Sequence, residues 1–115
     1  FELGRGLDRF LIQKYFSPVE GSTHRQVNKN LRDMVRFSLL NLIDTWPPLP
    51  YFDFVFLRNV LIYFSQETKD KVLSKVSRQI GPVDGTLILG ASEMIPFSTS
   101  FKLIQLEKIS YYKVP

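Results

Sequence analysis

The sequence predicts an α/β domain whose parallel strands end at a ligand crevice and whose chain closes in an antiparallel hairpin. Three observations carry that expectation. Phe54–Leu57 and Thr86–Leu89 are continuous apolar runs without polar alternation, the pattern of strands buried on both faces. A helical pattern lies between them, which makes residues 53–89 a strand–helix–strand unit with parallel strands and a right-handed crossover. Finally, Phe101–Glu107 and Ile109–Val114 read as strands separated by Lys108 alone, too short a link for anything but a tight antiparallel turn.

The elements follow in order. Leu7, Phe10, Leu11 and Tyr15 share one helix face, and Ser17-Pro18 ends that helix because the residue before proline disfavours α geometry. The polar stretch Val19–Asn30 holds a turn at Glu20-Gly21-Ser22 and is expected to form a small hairpin with Val27 on its second arm. Leu31–Met34 is expected to make one helical turn. Val35-Arg36-Phe37-Ser38-Leu39 alternates apolar and polar residues, so 35–41 is expected to be a third parallel strand, with Asn41 and Leu42 at its carboxyl end. Trp46-Pro47-Pro48-Leu49-Pro50 is a stiff connector, since each proline lacks a donor and fixes its own φ.

Ser65 is a suitable N-cap for a helix over 66–80, and Glu67 lies in the first turn, where the helix dipole favours negative charge. Val72, Leu73, Val76 and Ile80 form its apolar stripe, with Lys69, Lys71, Lys75 and Arg78 largely off it. Gly81-Pro82 is expected to stop it in the usual order, glycine first. Val83-Asp84-Gly85 turns the chain into the next strand.

Composition removes several classes of function. The 115 residues make one domain or a piece of one, and 44% hydrophobic content supports a packed core. No apolar run nears the ~20 residues of a bilayer span, and the first residues lack a signal-peptide layout. Cytoplasm is therefore the expected compartment, without membrane insertion. With no cysteine and a single histidine, His24, no metal site is expected, and a serine–histidine pair lacks a plausible partner. The net charge of +4 is dispersed among acids, unlike the dense basic face of a nucleic-acid binder. No glycine-rich phosphate loop is present: Gly4-Arg5-Gly6 follows no complete strand.

Polar residues then converge. Asn41, Arg58-Asn59 and Ser92-Glu93 each follow an expected parallel strand, and in an open α/β sheet such ends share one crevice. The set suits a polar, zwitterionic small molecule. Arginine can pair with a carboxylate, amides can bond an amino acid or a base, and the glutamate can accept from an ammonium or hydroxyl. The plain alternative is a surface loop between strand and helix.

Arg58-Asn59-Val60-Leu61-Ile62-Tyr63-Phe64, together with Asn41-Leu42, Trp46-Pro47-Pro48, Phe52-Asp53 and Gly90-x-Ser92-Glu93, resembles the CheR-type chemotaxis receptor methyltransferases. Arg5-Gly6 with Tyr15-Phe16, and Val35-Arg36-Phe37, extend the likeness over essentially the whole chain. The resemblance implies the C-terminal half of a Rossmann-like class I methyltransferase sheet, so residues 1–115 would be part of an S-adenosylmethionine-dependent domain. It implies methyl transfer from S-adenosyl-L-methionine to glutamate side chains of a chemoreceptor cytoplasmic domain, with S-adenosyl-L-homocysteine as product. Asn41 and Leu42 would line the adenosine part of the cofactor site. Arg58 and Asn59 would lie near the methionine part, and Tyr63 close to the transferred methyl. Residues 17–34 would correspond to a small β-subdomain, which in some members docks receptor tails.

Leu57 departs from the cysteine common before this Arg-Asn pair. The family's glycine-rich first motif, the acidic residue after its second strand and its N-terminal helical domain would all precede Phe1. The truncated chain is accordingly expected to be inactive alone and to self-associate through an exposed sheet edge. The competing reading is a catalytically inactive methyltransferase-like module that binds a ligand or partner.

Overall fold

A computed structural model describes residues 5–82, 84–95, 100–107 and 109–115. Residues 1–4, Val83, residues 96–99 and Lys108 lie outside the described residues, and with them the expected turn at 83, the expected loop at 96–99 and the expected one-residue link at 108. The chain divides into two compact units, residues 1–39 and 40–115.

In the first unit, helix α1 (Arg9–Tyr15) begins at Asp8, whose carboxylate accepts from the Phe10 N–H at 2.6 Å. That cap is what the sequence reading lacked. Strand β1 (Phe16–Pro18) leaves the helix directly and pairs antiparallel with β2 (Arg25–Val27), Phe16 opposite Val27. The expected hairpin exists, but it starts at Phe16, ahead of the polar stretch. Asn28 ties the unit together: its N–H donates to Tyr15 O at 2.9 Å, its amide donates to Lys14 O at 3.0 Å, and its oxygen accepts from Ser17 Oγ at 2.6 Å. The following turn, α2 (Lys29–Arg32), lies two residues earlier than the expected 31–34.

Residues 35–41 are not a strand. They take no regular structure, and Phe37 and Leu39 are 96% and 104% exposed. Alternation describes side chains only. A strand also needs a neighbour that takes up its N–H and C=O groups, and among the described residues none pairs with this segment.

The second unit holds a four-stranded mixed sheet in the order β3-β4-β6-β5, from β3 (Phe54–Leu57), β4 (Thr86–Leu89), β5 (Lys102–Leu106) and β6 (Ile109–Lys113). The strands β3 and β4 are parallel, Leu57 opposite Leu89, and helix α3 (Gln66–Gln79) makes the crossover between them. The terminal hairpin β5–β6 is antiparallel as expected and adds to β4 through Leu87 opposite Tyr112. Ser65 caps α3, accepting from the Thr68 N–H.

The stripe Val72, Leu73, Val76 and Ile80 packs with Leu57, Leu87, Leu89, Phe101 and Tyr112 as one buried core. Strand β3 forms an edge of the sheet, and its alternate residues Phe54 and Phe56, on the opposite face, remain 62% and 68% exposed.

The end of α3 differs from the glycine stop that the sequence suggested. Ile80 turns extended (φ −77°, ψ 131°) and forms a parallel bridge with Phe52, while the Gly81 N–H donates to Phe52 O at 2.9 Å. The glycine that this corner requires is Gly85: a Cβ there would collide with Ile80 Cγ2 and lie 2.6 Å from Gly81 O.

Candidate ligand site at the carboxyl edge of the sheet

Because β3 and β4 run parallel in register, their carboxyl ends lie side by side, and Arg58-Asn59 meets Gly90-Ala91-Ser92-Glu93 there. Arg58 and Asn59 are exposed, and no side-chain partner holds either of them among the described residues. The chain then turns sharply. Asn59 adopts φ 60°, a left-handed conformation that asparagine tolerates better than most residues, and Leu61–Tyr63 form a single 3-10 turn. This turn sorts the motif. Leu61 is buried, and Val60 and Phe64 pack against the core, whereas Arg58, Asn59, Ile62 and Tyr63 face outward. Tyr63 is 80% exposed.

Glu93 governs the shape of that turn. Its carboxylate accepts four backbone N–H groups: Asn59 at 2.7 Å and Gly90 at 2.9 Å on Oε2, Val60 at 2.9 Å and Leu61 at 2.8 Å on Oε1. Successive amides 59–61 form a concavity suited to an anion, and the chain fills it with its own carboxylate. Burial is the largest single influence on this group and pushes its pKa up. The four amide bonds together outweigh it and hold the carboxyl below its ordinary value.

The sequence reading expected Glu93 to accept from a ligand's ammonium or hydroxyl, and the geometry corrects it. At 7% exposure and with four donors already bound, Glu93 serves the backbone. The signal for this lay in Gly90, three residues earlier. A Cβ there would sit 2.6 Å from Glu93 Oε2 and 3.3 Å from the Asn59 nitrogen, so the close approach needs glycine.

Asn41 and Leu42 lie in a loop, not at a strand end. The Asn41 amide donates to Asp44 Oδ2 at 2.7 Å and its oxygen accepts from the Ile43 N–H at 3.0 Å, so this side chain closes its own turn. Leu42 is half-buried against the core. Lys75, off the apolar stripe of α3, fixes this loop: its ammonium donates to the carbonyls of Leu42, Ile43 and Asp44 at 2.6, 2.9 and 2.8 Å. It also lies 5.3 Å from the centre of the Trp46 ring, whose Nε1 donates to Leu42 O. Between this loop and α3 runs a groove of about 720 Å³, lined by Trp46, Lys71, Lys75, Arg78 and Gln79 among others, but by none of Arg58, Asn59 or Tyr63. The structure therefore brings Arg58, Asn59 and Glu93 together in direct contact or sequence adjacency, and holds Asn41-Leu42 by a separate anchor.

Among the described residues no cluster of histidine, cysteine or acidic side chains could hold a metal ion, and no helix is long and apolar enough to cross a membrane. His24 is exposed, with its Nδ1 2.6 Å from Ser22 Oγ.

Parallel strands joined by a crossover helix, with polar side chains exposed at their carboxyl ends, form an open α/β arrangement, the kind of sheet edge at which ligands bind in such folds. The comparison with known proteins is more specific. The chain belongs to the CheR methyltransferase, SAM binding domain family, which matches residues 2–110. It is 43% identical over 93 residues to chemotaxis protein methyltransferase 1 of Pseudomonas aeruginosa, covering 81% of this chain and 33% of that protein. It is 37% identical over 113 residues to the chemotaxis protein methyltransferase of Vibrio parahaemolyticus, covering 97% of this chain and 40% of that protein. The chain thus spans two-fifths or less of the length of these relatives.

Proposed function

We propose that this chain is part of a chemotaxis methyltransferase that uses S-adenosyl-L-methionine to esterify glutamate side chains on the cytoplasmic domain of a chemoreceptor. The observation that carries the reading is the pair Arg58-Asn59, held out at the sheet's carboxyl edge with unpaired side chains, in a chain of the CheR family. When bound, the cofactor would supply a sulfonium methyl: the glutamate carboxylate attacks the methyl carbon, the C–S bond breaks, and S-adenosyl-L-homocysteine leaves as the neutral thioether.

The residues present fit such a ligand. The amides of 59–61 are already occupied by Glu93, so this edge offers no backbone cradle for a phosphate, and S-adenosylmethionine has none. A carboxylate is instead read by the Arg58 guanidinium, whose planar fork suits bidentate pairing. Asn59 offers an amide donor and acceptor to the methionine portion. Asn41 shapes the loop that presents Leu42 to the adenosine, since its own amide is spent on that loop. Tyr63 stands beside the incoming carboxylate and helps to exclude water. Because a glutamate carboxylate is already a competent nucleophile at neutral pH, no general base is required, and these residues act by positioning. The working compartment in this reading is the cytoplasm.

The test is methyl transfer from labelled S-adenosylmethionine to a receptor fragment by the full-length protein, read as base-labile methyl ester. Asn59→Ala and Asn59→Gly are compared for cofactor affinity. Both should weaken binding, and the alanine variant alone should lose about 1 kcal/mol of stability, because φ 60° disfavours a Cβ without a polar group. Cofactor binding without transfer to any receptor fragment would support the inactive binding module. Absence of cofactor binding would remove both readings.

A further inference from the structure

Glu93 is a buried ionised group without a place in the chemistry above, and its four partners are all backbone amides. Those amides come from two strand ends. Three belong to the turn that carries Arg58, Asn59 and Tyr63, and one belongs to Gly90 after β4. A single side chain thus ties the carboxyl end of β3 to that of β4 at the point where the outward-facing residues leave the sheet. Nothing in the 3-10 turn itself fixes its direction: it is three residues long, and its N-cap, Val60, makes no side-chain cap bond. Asn59 holds φ 60°, a sparsely populated conformation that its surroundings have to support.

We propose that Glu93 is a positioning residue for methyl transfer, its carboxylate acting as an internal anion that fixes the 59–61 backbone and so aims Arg58, Asn59 and Tyr63. This inference rests on the proposed function and adds to it a residue that does not touch the reactants. Two features separate it from an ordinary core contact. The group is charged, where a structural link of the same length could be a neutral amide, and charged acceptors suit convergent N–H donors best. Gly90 is also shaped to admit it, since a Cβ there would occupy the space beside Oε2.

The experiment uses the full-length protein with Glu93→Gln, Glu93→Asp and Gly90→Ala. Glutamine keeps the length but presents an NH2 group to donors. Aspartate keeps the charge but falls one methylene short, and Gly90→Ala leaves the carboxylate intact while displacing it. Cofactor affinity, kcat, KM for the receptor fragment and the amide resonances of Asn59, Val60 and Leu61 are measured. Glu93→Gln is expected to fold, to weaken cofactor binding tenfold or more and to lower kcat by a similar factor. KM for the receptor fragment should stay within twofold. The three amide resonances should move upfield, while those in α3 stay in place. Gly90→Ala should show the same split, and Glu93→Asp should recover part of the loss.

Cofactor affinity and kcat within twofold of wild type in a folded Glu93→Gln protein would overturn the proposal. So would unfolding of all three variants, which would make Glu93 a residue of the fold alone. If the wild-type protein itself neither binds cofactor nor transfers methyl, the proposed function fails instead, and the two failures are distinct.

Discussion

Lys75→Met removes the charge that ties the Asn41–Trp46 loop to α3. The ammonium makes three N–H···O=C bonds, at 2.6, 2.9 and 2.8 Å. A hydrogen bond to a charged group contributes about 1.5–3 kcal/mol, so full loss of all three would be severe. The surroundings reduce it. Ile43 and Asp44 are exposed, so their carbonyls regain water, and Leu42 O keeps the Trp46 indole N–H at 3.3 Å. What goes unrecovered is about one charged bond plus the contact with the Trp46 ring, worth roughly 0.5–1 kcal/mol. The methionine stem preserves the packing along the helix. The expected loss is therefore about 2–4 kcal/mol in urea unfolding, with an unchanged m value.

Lys71→Met serves as the control. Its ion pair with Glu67 is 68% and 77% exposed, and its removal should leave stability unchanged within error. If Lys75→Met and Lys71→Met proved indistinguishable, the three-carbonyl anchor would have no energetic meaning, and the loop would be held by Trp46 alone. In the full-length protein Lys75→Met should also weaken cofactor binding, since it frees the segment that presents Leu42.

Leu87→Ala should be among the most damaging single changes. Leu87 is fully buried between α3 and the hairpin, and the loss should be about 2–5 kcal/mol by calorimetric unfolding. Stability should also depend on pH through Glu93. Its folded pKa lies below the ordinary 4.5, so its contribution is complete above that value and disappears as the pH falls through the lower folded value. Glu67 and Asp84 are shifted the same way by Lys71 and Lys113, and both carboxylates are exposed, so the acid titration is best run in high salt, with Glu93→Gln as the subtracted reference. Residues 1–115 alone are expected to bind S-adenosylmethionine very weakly and to transfer no methyl, because a few bonds of about 0.5–1.5 kcal/mol each do not cover the cost of association. They should also self-associate, through the β3 edge and its exposed Phe54 and Phe56. Tight stoichiometric binding by a monomer, read by calorimetry and sedimentation, would contradict both expectations.

Local rules were enough for the elements that carry their own punctuation. Ser65 at an N-cap, the 72-73-76-80 stripe and the two apolar runs on either side fix α3, β3 and β4, because each feature acts within a turn or two of chain. The same holds for the terminal hairpin, whose linker admits one geometry. The sequence also marked Arg58 and Asn59 as polar residues at the end of an apolar strand, where they stand, although that strand is an edge with one face exposed and not buried on both faces as the unbroken apolar run suggested. Other features depended on groups far apart in the chain. Whether 35–41 pairs as a strand depends on a neighbour, which alternation cannot supply. Glu93 looked like a ligand acceptor because a carboxylate's partners are invisible in one dimension. It binds amides more than thirty positions earlier in the chain, brought to it by the parallel register of β3 and β4. Lys75 likewise has no partner legible in the sequence; the fold lays three carbonyls across its end. Side chains that satisfy a distant backbone are decided by the tertiary structure, since only there do the unpaired N–H and C=O groups acquire a position.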